Sequence, residues 1–152
     1  MRVYRLGRTK HAQELTGEGA RLNGGRWNQI GIPCLYTSES RALAVLEYTV
    51  NVNIDHIPKA LSITTIEIPE DNIYAVPFKD LPGNWRASPA PASTKDFGSI
   101  LLKGGKFAVI KIQSAVIPEE YNFLLNPVLF NKAAFEIIDV RDFVYDVRIK
   151  GV

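Results

Sequence analysis

Between Gly24 and Val50 the chain reads GGRWNQIGIPCLYTSESRALAVLEYTV, and one residue in it restricts the fold more than any other. From Ala42 to Asn53, Glu47 is the only charged side chain, and Leu43, Leu46 and Val50 fall at the helical spacings that share its face. Taking a lone carboxylate out of water without partners costs on the order of several kcal/mol. The helix that bears Glu47 must therefore pair it or open it to a cleft. The same stretch places Arg26 after two glycines and Tyr36 in a short strand ahead of the helix. A Gly-rich turn, a strand and a helix thus collect an arginine, a tyrosine and a glutamate, and the expectation is half of an active site.

The rest of the chain bounds what that site belongs to. A length of 152 residues fits one domain spanning 1–152, enough to bury about two-thirds of the unfolded surface. No apolar run approaches the roughly 20 residues that cross a bilayer. The opening MRVYRLGRTKHAQEL has no apolar core of the signal-peptide kind, so a cytoplasmic protein without a membrane is expected. The net charge of +2 comes with no concentrated basic stripe, which argues against direct nucleic-acid binding. Cys34, the single cysteine, makes no intrachain disulfide and reads as a buried, inert thiol. His11 and His56 have no metal-ligand spacing with it, so no metal site is expected.

In order, Val3 to Leu6 reads as an opening strand, with Tyr4 and Leu6 on one side and Arg5, a surface charge by default, on the other. The polar stretch GRTKHAQELTGEGARLNGG holds a helical turn around His11 to Leu15 and contains neither GxGxxG nor a P-loop. Pro33 to Thr37 is a short strand, and Ser38 or Ser40 caps a helix that runs to about Val50. Leu61 to Ile68 and Asn72 to Val76 read as strands. The Pro-rich Leu81 to Ser93 reads as a surface loop, since only about 60 residues follow it. A capping box at Ser93 and Asp96 starts a helix with Phe97, Ile100 and Leu101 on its apolar face, ended by Gly104-Gly105. Phe107 to Gln113 is a strand with Ser114 at its end, and a loop from Pro118 reaches Asn126-Pro127. Ala134 to Val140 and Phe143 to Ile149 read as closing strands, the second by its alternation. The expected fold is α+β, with sheets outweighing few helices.

Those stretches resemble a known family. Tyr4-Arg5-Leu6, GGRWN (Gly24 to Asn28), PCLYTSESRALAVLE (Pro33 to Glu47), NWRASPAP (Asn84 to Pro91), QSAVIPEEYNFLLNP (Gln113 to Pro127) and FVYDVRI are similar, in order, to the RES-domain toxins of RES–Xre toxin–antitoxin pairs. The arginine, glutamate and serine behind that family's name match Arg26, Glu47 and Ser114. The resemblance implies a single compact domain like the ADP-ribosyltransferase toxins, with mixed β-sheets. It implies NAD as substrate rather than cofactor, an Xre-family helix-turn-helix antitoxin whose tail blocks the cleft, and a toxin homodimer inside a larger complex. It also implies an activity: NAD hydrolysis or phosphorolysis, or the alternative of ADP-ribose attachment to a protein.

The residues suit that chemistry. Cleavage of the nicotinamide–ribose bond passes through an oxocarbenium-like state, as glycoside hydrolysis does. Nicotinamide departs as a neutral ring, so no protein acid need protonate it and one carboxylate suffices. Glu47 would hold a ribose hydroxyl and stabilise the developing positive charge; its plain alternative is an ion pair to Arg26 or Arg5. Arg26 suits the pyrophosphate through its planar fork, with Arg5 as a second phosphate contact. Tyr36 offers a ring face to the cationic nicotinamide, or is simply core. Ser114 orients Glu47 or a ribose hydroxyl, or caps a strand end; no GxSxG elbow surrounds it to make it a nucleophile. Trp27 and Asn126 support the architecture, Asn126 by pinning the loop before Pro127. Two rivals lie outside this class: an RNA-cleaving or RNA-binding toxin, suggested by a pI near 8.7 and the aromatics Trp27, Trp85 and Tyr121, and a non-enzymatic binding module.

Overall fold

The computed structural model describes residues 1–129 and 135–150. Among them the chain order is β1 (Arg2–Arg8), α1 (Glu18–Asn23), β2 (Leu35–Ser38), α2 (Arg41–Asn51), β3 (Leu61–Glu67), β4 (Ile73–Ala75), α3 (Ala92–Gly104), β5 (Val109–Gln113), β6 (Tyr121–Leu125) and β7 (Glu136–Phe143). The strands form one sheet in the order β4-β5-β6-β2-β1-β3-β7. Only β4–β5 is parallel; the other neighbours are antiparallel. This is the α+β architecture, mixed in strand direction and poor in helix, that the sequence led us to expect.

The middle of the sheet is covered on both faces. Val109 of β5 and Phe123 and Leu125 of β6 join Val3, Leu35 and Ile66 on one side. Ile110, Ile112 and Leu124 point the other way and pack with Trp27, Cys34, Trp85 and Leu102, as the two-residue period of a strand requires. A smaller cluster of Leu6, Leu61 and Tyr145 seats Val45 and Tyr48 of α2. The sheet order inserts β2 between β1 and β6, so Ser38 lies opposite both Tyr4 and Asn122. Ser40 caps α2, its hydroxyl accepting from the Leu43 amide at 3.0 Å.

Several expectations are corrected. Tyr121–Leu125 is a strand, not part of a loop: with both faces buried, YNFLL shows no alternation to read. The turn expected at His11 to Leu15 is a 3-10 turn at Thr9–His11, and the helix of that region is α1, braced by Arg21 donating to Glu18 at 2.5 and 2.7 Å. Arg5 is not a surface charge; burial pulls its basicity down, against the opposing pull of Glu14. Ser93 and Asp96 make no capping box, because α3 starts at Ala92 behind Pro91. Their side chains tie the helix outward instead, Ser93 to Asn84 and Asp96 to Gln29. Ile100 is exposed, whereas Leu102 is buried. Among the described residues no strand follows Phe143. Val144 is 90% exposed, Tyr145 hydrogen-bonds Thr49, and Asp146 accepts from the Arg148 amide to close a 3-10 turn. A side chain serving the backbone locally has outcompeted the ladder that the alternation suggested. The strand expected from Ala134 starts outside the described residues and is seen from Glu136.

Cys34 is 2% exposed, and burial pushes its thiol well up. The consequence is a stability slope in alkali. Above about pH 8.5 the unfolded chain sheds a thiol proton that the folded chain keeps, so the unfolded state binds fewer protons and stability falls as pH rises, by about 1.4 kcal/mol per unit. Urea melts at pH 8 and 9.5 should show this loss, and Cys34→Ala should flatten it; an identical slope in the variant would assign it elsewhere. No helix among the described residues is long and apolar enough to cross a membrane.

Candidate active site

A cleft of about 720 Å³ opens where β1, the Gly24–Trp27 turn, β2 and α2 converge, with Ser88 to Ala90 and Lys95 across from them. Its size falls within the roughly 300–1,000 Å³ typical of small-molecule sites. Glu47 lines it, half-buried. Its Oε1 accepts two short hydrogen bonds, from Ser114 Oγ and from Asn122 Nδ2, each at 2.6 Å. Oε2 has no protein donor among the described residues, so one oxygen is anchored and the other is left to the cleft.

The ion pair weighed for Glu47 is not formed. Arg26 donates through Nη1 to the carbonyls of Trp85 and Ala87, both at 2.8 Å, holding the Pro-rich loop against the turn. Arg5 donates through Nη2 to the carbonyls of Ala12 and His11, at 3.1 and 3.3 Å. Both arginines line the cleft, but neither neutralises the carboxylate. Hydrogen bonds to an ionised acceptor are the stronger kind, and here two neutral donors supply them without cancelling the charge.

Ser114 is fully buried. Its hydroxyl gives its proton to Glu47 and accepts from the amides of Val116 and Ile117 at 3.0 and 3.1 Å. With donor and both lone pairs engaged, the oxygen is a fixed strut. Tyr36 is locked at its tip: Oη donates to Asn28 Oδ1 at 2.5 Å and accepts from the Trp27 amide at 3.0 Å. Burial drives this phenol well above its ordinary range. A Cβ on Gly25 would stand 2.5 Å from Tyr36 Oη, so that glycine is what admits the phenol to the turn.

Trp27 forms part of the cleft wall, and Asn126 lies behind it. Trp27 stacks on Trp85, with centroids 6.2 Å apart, and meets Phe97 edge-on. Asn126 donates to the Leu102 carbonyl at 2.9 Å and accepts from the Val128 amide at 3.2 Å, joining the end of α3 to the loop after β6. The structure thus brings Glu47 and Ser114 into direct contact and sets Arg5, Arg26 and Tyr36 around one cleft. The sequence reading missed Asn122, Asn28 and Lys95. Asn122 sits on the unread strand; the β2–β6 register sets it opposite Ser38, and its amide reaches across to Glu47 of α2.

The RES domain family model matches residues 2–147. A protein of Sphingobium sp. strain YBL2 described as a Prs ADP-ribosylating toxin is 34% identical over 151 residues, covering 97% of this chain and 94% of its own. A Yersinia enterocolitica protein described as Toxin Res is 34% identical over 152 residues, covering 99% of this chain and all of its own (100%). Among solved structures, a chain from the crystal structure of the M. tuberculosis MbcT–MbcA toxin–antitoxin complex superposes with a TM-score of 0.75 at 16% identity, covering 94% of this chain and 84% of that one. At that identity the likeness concerns the fold.

Proposed function

The chain belongs to the RES domain family, and on that premise we propose that it is a toxin that consumes NAD by opening the nicotinamide–ribose bond. The observation that supports this most is the lone carboxylate in the cleft, unneutralised yet anchored through one oxygen by Ser114 and Asn122. In the reaction the bond from the ribose anomeric carbon to the nicotinamide nitrogen breaks, and its electron pair leaves with the neutral ring. Glu47 stabilises the positive charge that develops on the ribose. Water then adds to that carbon and loses a proton, giving ADP-ribose; phosphate in place of water gives the ribosyl phosphate. The ring face of Tyr36 meets the cationic nicotinamide before cleavage, and Ser114 keeps Glu47 aimed. An Xre-type antitoxin covering the cleft is the partner that suits this reading.

Among the described residues Arg26 has protein partners only at Nη1, which holds the loop carbonyls, and its Nε and Nη2 suit a pyrophosphate. Arg26→Lys preserves charge and loses the fork. We expect the KM for NAD to rise roughly tenfold with little change in kcat; a level KM would remove Arg26 from the pyrophosphate.

A second reading has its own support, because the Sphingobium relative is described as an ADP-ribosylating toxin. Both share the first bond cleavage and differ in the acceptor. Purified protein mixed with NAD, with and without phosphate and with no other protein, separates them. ADP-ribose or its phosphate among the products supports NAD consumption. Nicotinamide released only when a protein acceptor is added supports transfer.

A further inference from the structure

The Glu47 carboxylate is held by Asn122, and Asn122 is itself held. Ser38, the last residue of β2, pairs directly with Asn122 of β6, and its side chain is almost wholly buried, at 3% exposure. Its hydroxyl donates to Asn122 Oδ1 at 2.7 Å, while the other end of the same amide donates to Glu47 Oε1 at 2.6 Å. The hydrogens point one way along this chain: hydroxyl to amide oxygen, amide N–H to carboxylate. Donation to a carbonyl polarises the amide and strengthens its N–H as a donor, so the two bonds reinforce each other. The terminal torsion of an asparagine is broad and is set by what the amide touches. Ser38 supplies the contact at the end away from Glu47.

We infer that Ser38 is a positioning residue for the carboxylate, fixing the Asn122 amide so that its N–H stays on Glu47. The inference rests on Glu47 being the catalytic carboxylate. Ser38 acts through Asn122: it borders the cleft, but its hydroxyl is spent on the amide oxygen. Without the hydroxyl, Oδ1 loses its donor inside the protein, the amide turns to find another, and Glu47 is left with Ser114 alone. A carboxylate free to swing loses alignment with the ribose, a loss felt in turnover rather than in affinity.

The test is a double-mutant cycle with a conservative rescue. Ser38→Ala should lower kcat about tenfold with KM held within about twofold, and Ser38→Thr, which keeps the hydroxyl, should restore most of the loss. In an Asn122→Ala background, Ser38→Ala should cost nothing further, because the amide through which it acts is gone. Equal losses in both backgrounds, or a loss confined to KM, would overturn the inference. A second measurement needs no substrate. In ¹⁵N-labelled protein, the Asn122 side-chain amide should be slow to exchange in the wild type and in Ser38→Thr, and fast in Ser38→Ala. An amide unchanged in Ser38→Ala defeats the inference whatever the substrate proves to be, whereas a wild type inert towards NAD counts against the reaction alone.

Discussion

Glu47→Gln is expected to lower NAD turnover about a hundred- to a thousand-fold, the loss seen when one preorganised electrostatic contact to a transition state is removed. The substitution keeps the shape of the side chain and the acceptor that Ser114 and Asn122 address at Oε1. What disappears is the negative charge towards the cleft, which in the proposed reaction matters little in the ground state and most when the ribose turns cationic. KM should therefore change far less than kcat. Thermal melts should be close to wild type, since Glu47 has no ion pair with Arg5 or Arg26 to lose. Undiminished turnover by Glu47→Gln would remove the carboxylate from the chemistry.

The second large effect is on stability and acts through Gly98. This residue of α3 faces the backbone of the Gly24–Trp27 turn, and a Cβ there would lie 2.0 Å from the Trp27 carbonyl oxygen and 2.7 Å from its carbon. Both atoms are backbone, so neither moves aside as a side-chain tip would. Gly98→Ala must push α3 away from the turn, opening the packing of Trp27 against Trp85 and Phe97. Overpacking of this kind costs about 1–3 kcal/mol, or a fall in Tm of about 3–10 °C for a chain of this length. Activity should fall as well, because Arg26 adjoins Trp27. Gly104→Ala is the control: nothing lies within 4 Å of its Cβ, and its Tm should stay level or rise slightly. A Gly98→Ala protein as stable as the wild type would mean that the helix and turn are not in this contact.

Parts of the chain that carry a strong local signal were legible from sequence. α2 was marked by its cap and its single charge, β3 by its β-branched run, and α3 by its glycine stop. β6 was not, because its buried run Phe123 to Leu125 is covered on both faces and loses the alternation that advertises a strand. Phe143 to Ile149 misled in the opposite sense. Its alternation is real, but Tyr145 answers to Thr49 of α2 and Asp146 to its own turn.

The site divides in the same way. Arg26, Tyr36 and Glu47 lie within one local stretch, and the isolation of Glu47 among apolar neighbours was itself the signal. The contact with Ser114 spans 67 residues and that with Asn122 spans 75; both depend on strand pairing that a single sequence does not display. Whether an arginine or neutral donors would hold Glu47 was likewise undecidable beforehand. The two arginines turned out to be engaged by backbone carbonyls instead, which leaves the carboxylate without either as an ion-pair partner.

Nicotinamide release is the most direct test of whether this carboxylate cleaves NAD. Purified wild-type protein and Glu47→Gln, incubated with NAD and matched for folding by their melts, are assayed for free nicotinamide with phosphate and with a lysate as acceptor source. We expect release by the wild type in at least one mixture and a loss of about a hundredfold or more in the variant. No release by the wild type in any mixture, or equal release by both proteins, would contradict it.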